Sequence, residues 1–152
     1  MNDRPGIMLA ASMRAYANRW AVTPAHSIAV FTNNDDGHRT ATDLHAKGVS
    51  IVAVVDTRLN APTSSVYETI AGGQITNTQG RLGLTAAEVT LPTGTTRTLS
   101  CGALGVSGGW NPNVHMTCHQ RGRPEWNEKI AAFVPGAMMP TGLTVIGAAN
   151  GD

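Results

Sequence analysis

Charge is scarce in this chain. Only 14% of its 152 residues are Asp, Glu, Lys or Arg, against about 25% in an ordinary soluble domain. The formal net charge is +1. No broad basic surface invites nucleic acid, and no acidic tail suggests a solvating arm. A self-sufficient soluble domain wears more charge than this, so part of the surface is expected to be covered by a neighbour. Cysteine is scarce too. Cys101 and Cys118 are too few for a disulfide framework. No apolar run approaches the roughly 20 residues of a membrane helix. Asp3 and Pro5 leave no basic and apolar leader of the signal-peptide kind. The expected compartment is cytoplasmic, with neither membrane nor nucleic acid as a partner.

What is present fits a globular fold. Apolar residues make up 41% of the chain and glycine contributes 17, which argues against disorder. The length predicts one domain over residues 1–152. It is too short for a two-domain oxidoreductase with its own substrate domain. The expected segments are a helix and linker over 1–24, a βαβ unit over 25–60, a β-meander over 66–101 and return strands over 102–152.

Local patterning supports those segments. After Pro5-Gly6, Leu9, Met13, Tyr16 and Trp20 recur at helical spacing. Ser27 to Phe31 is a short apolar run suited to a buried strand. The polar cluster Asn33 to Gly37 offers a turn and N-cap side chains. Thr40 to Lys47 predicts a helix with Ala41 and Leu44 inward, and Gly48 stands where a C-terminal cap is wanted. Ser50 to Val55 predicts a second buried strand, ending at Asp56. Asn60 to Ser65 is loop. Ile75–Thr78, Leu84–Leu91 and Thr95–Leu99 predict an antiparallel meander, with Pro92-Thr93-Gly94 as a hairpin turn. Ala103–Ser107 predicts a further buried strand, Asn111–His119 a short helix, and Thr144–Gly147 a last return strand. The fold class that results is α/β: a Rossmann-like FAD/NAD(P)-binding domain built on a βαβ unit, with a β-meander and a C-terminal return strand.

The βαβ unit has dinucleotide-binding spacing and altered chemistry. Such a unit wants three glycines straight after its first strand, two apart and then three apart. Those positions here are Thr32, Asn34 and Gly37. The third glycine, which lets helix and strand pack closely, is the one retained. Ala41 supplies the next small position. The second glycine would let a pyrophosphate approach the backbone, and Asn34 carries a side chain there. Asp35 and Asp36 place negative charge at a helix N-terminus, where phosphate would otherwise sit. Asp56 stands where an acid would accept hydrogen bonds from a ribose. Thr32, Asn33, Asn34, Gly37 and Asp56 are therefore candidate cofactor-binding positions, set against a capped helix without a ligand.

Other constellations carry less. His115, Cys118 and His119 would share one face of a helix at i, i+3 and i+4, as metal ligands can. They lack a fourth ligand nearby, and a polar helix end explains them better, so no metal site is assigned. Cys101 is expected as a buried small residue. Ser107 sits in Val-Ser-Gly-Gly and not in a nucleophile elbow. Gly108 and Gly109 could let backbone approach a ligand, or simply end a strand. Trp110 and Trp126 are expected in packing or at an interface. No catalytic residue is assigned.

Several motifs resemble the α subunit of heterotetrameric sarcosine oxidase. They are Arg4-Pro5-Gly6-Ile7-Met8-Leu9-Ala10, Val30-Phe31-Thr32-Asn33-Asn34-Asp35, Ser107-Gly108-Gly109-Trp110-Asn111-Pro112 with Val114-His115, Phe133-Val134-Pro135-Gly136 and Gly147-Ala148-Ala149-Asn150-Gly151. They run in family order from Arg4 to Gly151. The family subunit is several times longer. The resemblance covers its middle pyridine-nucleotide-disulfide-oxidoreductase region, without the preceding FAD/NAD-type half or the following folate-binding part.

The resemblance implies a role within a complex. Such enzymes oxidatively demethylate sarcosine to glycine, pass the one-carbon unit to tetrahydrofolate and reduce oxygen to hydrogen peroxide. It implies NAD in the α subunit and flavins in a partner flavoprotein β subunit. Ala148, Ala149 and Asn150 would approach that NAD from a return strand, with Ala149 foremost. This chain would be a nucleotide-binding or structural domain, not catalytic alone. The alternatives are a truncated or stand-alone Rossmann-like binding module, and a subunit of a related N-methylglutamate, opine or amine dehydrogenase.

Overall fold

A computed structural model describes residues 4–130 and 132–151. Two compact units divide the chain, one ending at Gly109 and the other beginning at Trp110. They stand where a single unit over 1–152 was expected.

The first unit is a three-layer α/β sandwich. Its strands are β1 (Ile7–Leu9), β2 (Ser27–Thr32), β3 (Ser50–Asp56), β4 (Thr69–Ala71) and β8 (Ala103–Ser107), all parallel, in the order β1-β8-β2-β3-β4. Helices α1 (Ala10–Trp20) and α2 (Asp35–Ala46) cover one face. An antiparallel meander of β5 (Gln74–Gln79), β6 (Ala86–Thr90) and β7 (Thr96–Ser100) covers the other.

Side-chain alternation builds both interfaces from the same strands. On β2, Ile28 and Val30 join the helices, while Ala29 and Phe31 join the meander. A register shift between β2 and β3 puts both Val52 and Ala53 on the meander side. The sheet is thus apolar on both faces, as a covered parallel sheet must be.

Helix α1 is shifted in phase from the sequence expectation. Ala10, Met13 and Ala17 are its buried residues, whereas Leu9, Tyr16 and Trp20 are exposed. The reason is close approach to β8. A Cβ on Gly105 would meet the Met13 sulfur at 3.1 Å and the Ala10 Cα at 3.4 Å. Ala10 and the unbranched Met13 fill this seam, and the aromatics turn outward and meet each other at a tilt, 5.1 Å between rings.

Helix α2 begins at Asp35, earlier than predicted, because Asn34 caps it by accepting from the Asp36 N–H at 3.0 Å. Ala41 and Leu44 are buried as expected, and Gly48 follows the helix at φ +83°. The predicted strands Ser27–Phe31, Ser50–Val55 and Ala103–Ser107 and the three strands of the meander are all present. The Pro92-Thr93-Gly94 hairpin closes as expected, with the Gly94 N–H donating to the Leu91 carbonyl at 2.9 Å. Strands β1 and β4, of three residues each, carry no sequence signal.

The second unit is sparse. It holds a 3-10 segment (Met116–Arg121), an antiparallel pair of β9 (Glu125–Asn127) and β10 (Ala132–Val134), and a 3-10 turn (Gly147–Ala149). Two expectations fail in it. Asn111–His115 is not helical, and the backbone turns out of helix at His119 and Gln120. His115, Cys118 and His119 therefore do not share a helix face. Thr144–Gly147 is not a return strand: Ile146 is exposed, and Gly147, at φ +62°, turns the chain into the 3-10 turn. The edge of the parallel sheet is supplied instead by β1.

Candidate functional site

In an open α/β sheet a ligand is expected beyond the carboxyl ends of the strands, where the strand order reverses. That point here lies between β2 and β8, whose last residues, Thr32 and Ser107, face each other in register. Thr32, Asn33, Asn34, Gly37, Gly108, Gly109 and Asp56 all belong to the strand ends, the adjoining loops or the first turn of α2. The strand-helix turn is tight because Gly37 permits it: a Cβ there would overlap the Thr32 side chain. This is the close helix–strand packing expected of the retained glycine.

Asn34 fills the place of the second glycine with a hydrogen-bonded side chain. Its Nδ2 donates to the Ser107 carbonyl at 3.0 Å and to Asn33 Oδ1 at 2.8 Å. Its Oδ1 accepts from Ser107 Oγ at 3.2 Å and from the Asp36 N–H. Thr32 Oγ1 accepts from the Asn34 N–H at 3.1 Å and donates to the Asn34 carbonyl at 2.9 Å. Gly109 closes the far side, with φ +86° and its Cβ position 3.5 Å from Asn34 Nδ2. The turn is thereby tied across to β8 by side chains of this chain.

Asp56 is fully buried at the end of β3. Its Oδ1 accepts from the Arg58 N–H at 2.9 Å and from Arg58 Nε at 3.1 Å. Its Oδ2 lies 2.8 Å from the Arg58 NH2 group and 2.9 Å from His38 Nε2. Burial pushes the carboxyl up, but the Arg58 and His38 bonds outweigh it and hold it below its ordinary value. Arg58 is correspondingly raised, chiefly by its bonds to Asp56. Its NH2 group also reaches Asp35 at 2.7 Å, bridging β3 to the first turn of α2. Asp36 pairs with Arg14 at 3.2 Å and lies 3.8 Å from Arg39. Both carboxylates thus occupy the positive helix end and have cations of their own.

A pyrophosphate does not fit these residues. The backbone approach that the second glycine gives is taken by the Asn34 side chain. The helix end already faces two carboxylates, which repel phosphate. Asp56, the ribose acceptor by position, is committed to Arg58 and His38. Sequence reading found Asp56 and missed both partners. The acid-x-Arg pattern of Asp56 and Arg58 was the available signal, and His38 was visible only as the residue after Gly37.

Ala148, Ala149 and Asn150 lie in the second unit, around its 3-10 turn, with Ala148 and Asn150 exposed. Cys101 is buried as expected, and burial pushes its thiol up. Trp110 and Trp126, expected in packing or at an interface, are exposed, and Trp126 meets Phe133 edge to face at 5.2 Å. Among the described residues, no group of three His, Cys, Asp or Glu side chains is placed to hold a metal ion. No helix there is long and apolar enough to cross a membrane.

No family model matches the chain. Curated relatives do. The sarcosine oxidase α subunit of Rhizobium meliloti is 40% identical over 97% of this chain, and that of a Corynebacterium strain is 35% identical over 88%. The match spans 15% of the length of each. Among solved structures, the L-proline dehydrogenase of P. horikoshii superposes with a TM-score of 0.64, at 18% identity, covering 97% of this chain and 26% of that one. A thioredoxin reductase from Giardia duodenalis gives 0.59 at 17% identity, covering 96% and 53%. These neighbours bear out the Rossmann-like α/β class. Along nearly its whole length this chain is thus similar, at 34–40% identity, to a stretch of sarcosine oxidase α subunits that makes up 15% of their length.

Proposed function

We propose that this chain is the Rossmann-like domain of a sarcosine-oxidase-type α subunit, working inside a flavin-dependent complex. That complex would oxidatively demethylate sarcosine to glycine, hand the one-carbon unit to tetrahydrofolate and reduce oxygen to hydrogen peroxide. The flavins and the amine oxidation would belong to a flavoprotein β subunit, and NAD to the α subunit. The observation that carries the reading is the 40% identity sustained over 97% of the chain. The low charge supports it, since interface cores are depleted in charge. So do the exposed Leu9, Tyr16 and Trp20 on and beside α1.

The domain's own contribution is structural. The covered parallel sheet gives a rigid platform, and the Asn34–Ser107 and Asp56–Arg58 bonds fix its carboxyl end. The bonds that hold Asn34, Ser107 and Asp56 within the chain support placing the amine oxidation in another subunit. Its link to NAD would run through Ala148, Ala149 and Asn150, completed by residues outside this sequence.

The test is co-expression with a flavoprotein subunit of this oxidase type, followed by affinity capture, flavin absorbance and sarcosine-dependent peroxide release. Co-purification of the flavoprotein with peroxide formed on sarcosine is expected. A stable monomer that captures no flavoprotein and binds no NAD would overturn the reading in favour of a stand-alone module. Peroxide or dye reduction on N-methylglutamate or an opine, and not on sarcosine, would reassign the substrate.

A further inference from the structure

We propose that the apolar cavity between the β1 side of the sheet and strand β5 binds a medium-chain aliphatic carboxylate. Its alkyl chain would lie inside and its carboxylate on Arg4. The proposal concerns the meander face of the sheet and does not depend on which complex the chain serves.

The meander does not cover that face evenly. Strands β5 and β7 approach β3, and toward β1 a cavity of about 510 Å³ remains. Binding pockets commonly hold about 300–1,000 Å³ behind mostly apolar walls. Ile7 and Leu9 of β1, Phe31 of β2, Leu104 and Val106 of β8, and Ile75 of β5 form these walls. Leu9 is 64% exposed, so water meets apolar surface that an alkyl chain would cover. The cavity is distinct from the strand-end cluster. Phe31 and Val106 point to the meander, whereas Thr32 and Ser107, one residue on, face Gly37 and Asn34 on the α2 side.

One polar group gives the cavity a direction. Thr78 of β5 lines it, and the Thr78 carbonyl accepts from the Arg4 guanidinium at 2.9 Å. That bond uses one of the five guanidinium donors and leaves others for a ligand. Among the described residues, Arg4 takes part in no ion pair. Neither does Arg81, in the loop after β5. That loop ends beside Arg4, where the Leu84 N–H donates to the Pro5 carbonyl at 2.9 Å. Glu88, the one acid between Gln74 and Ser100, bonds to Gln79 at 2.8 Å on the side away from inward-facing Ala87 and Val89. The rim is therefore positive and lacks a carboxylate of its own. A ligand carboxylate would make a charge-assisted pair with Arg4. An alkyl chain brings no polar group that these walls would leave unbonded.

The experiment is calorimetric titration of the 152-residue chain with octanoate, octanol and butanoate, with methyl NMR to locate the site. Octanoate is expected to bind saturably at one site, with shifts at Ile7, Leu104 and Val106. Butanoate should bind at least about tenfold more weakly, because it buries fewer methylenes. Arg4→Gln should weaken octanoate at least about tenfold and leave octanol unchanged. Val106→Phe, which fills the cavity, should weaken both; if circular dichroism shows it unfolded, the Arg4→Gln comparison decides alone. Octanoate that binds Arg4→Gln as tightly as the parent would overturn the proposal. So would shifts as large at exposed Ile146, which mark adsorption to any apolar surface. Absence of saturable octanoate binding would also overturn it, and would leave the cavity to an apolar segment of a neighbouring protein.

Discussion

The two units of this chain solve the same problem with unequal means. Up to Gly109, a parallel sheet is covered on both faces, and Met13, Ile28, Val30, Leu44, Val54, Val55 and Val89 are fully buried. From Trp110 on, the buried residues among those described are Pro112, Thr117, Ala132 and Gly136, all small or compact. The large side chains there, Trp126, Phe133 and Ile146, stay exposed. Stability should therefore be concentrated in the first unit, because apolar burial scales with the area removed from water. The second unit is held by short-range turns and one two-stranded pair, and such a pair is marginal by itself.

Substitutions can break this contrast. Leu44→Ala removes a fully buried side chain between α2 and the sheet. It is expected to lower unfolding free energy by about 3 kcal/mol in denaturant titration. Asp56→Asn breaks a buried ion pair and is expected to lose about 3 kcal/mol near neutral pH. Its pH dependence has a definite sign. The Asp56 carboxyl is held below its ordinary value near 3.8, so the folded state binds fewer protons than the unfolded one. The stabilisation is complete above that ordinary value and is lost as pH falls through the lower folded value. The gap between wild type and Asp56→Asn should therefore shrink on acidification below about pH 4.

The second unit should respond less. Trp126→Ala removes one partner of an exposed edge-to-face pair and is expected to lose about 1 kcal/mol. Ile146→Ala, at a residue 79% exposed, should stay within about 0.5 kcal/mol of wild type. A loss for Ile146→Ala as large as that for Leu44→Ala would show that the second unit carries its own core.

The same contrast governs what the sequence revealed. Elements β2, α2, β3 and the meander were legible, because alternation or helical spacing coincided with turn residues at their ends. Strands β1 and β4 were not, since three residues hold no periodicity. On α1 the eye follows Tyr16 and Trp20, but contact with Gly105 selects Ala10 and Met13. The Thr144–Gly147 stretch has strand composition and no partner strand among the described residues. Propensity without pairing does not make a strand. At the candidate site, the positions of Thr32, Asn34, Gly37 and Asp56 could be read from spacing. Their bonding was legible only in part: Arg58, two residues from Asp56, left a local acid-x-Arg signal, whereas His38 and Ser107 reach Asp56 and Asn34 through the tertiary fold.

The central claim is that the carboxyl end of this sheet is closed by the protein itself. Amide NMR of the 152-residue chain during titration with NAD tests it most directly. The prediction is that the amides of Asn34 to Gly37, Thr57 and Arg58 keep their positions to millimolar NAD, whatever happens around Ala149. Saturable shifts centred on Asn34 to Gly37 would contradict it and make the βαβ turn an open nucleotide site.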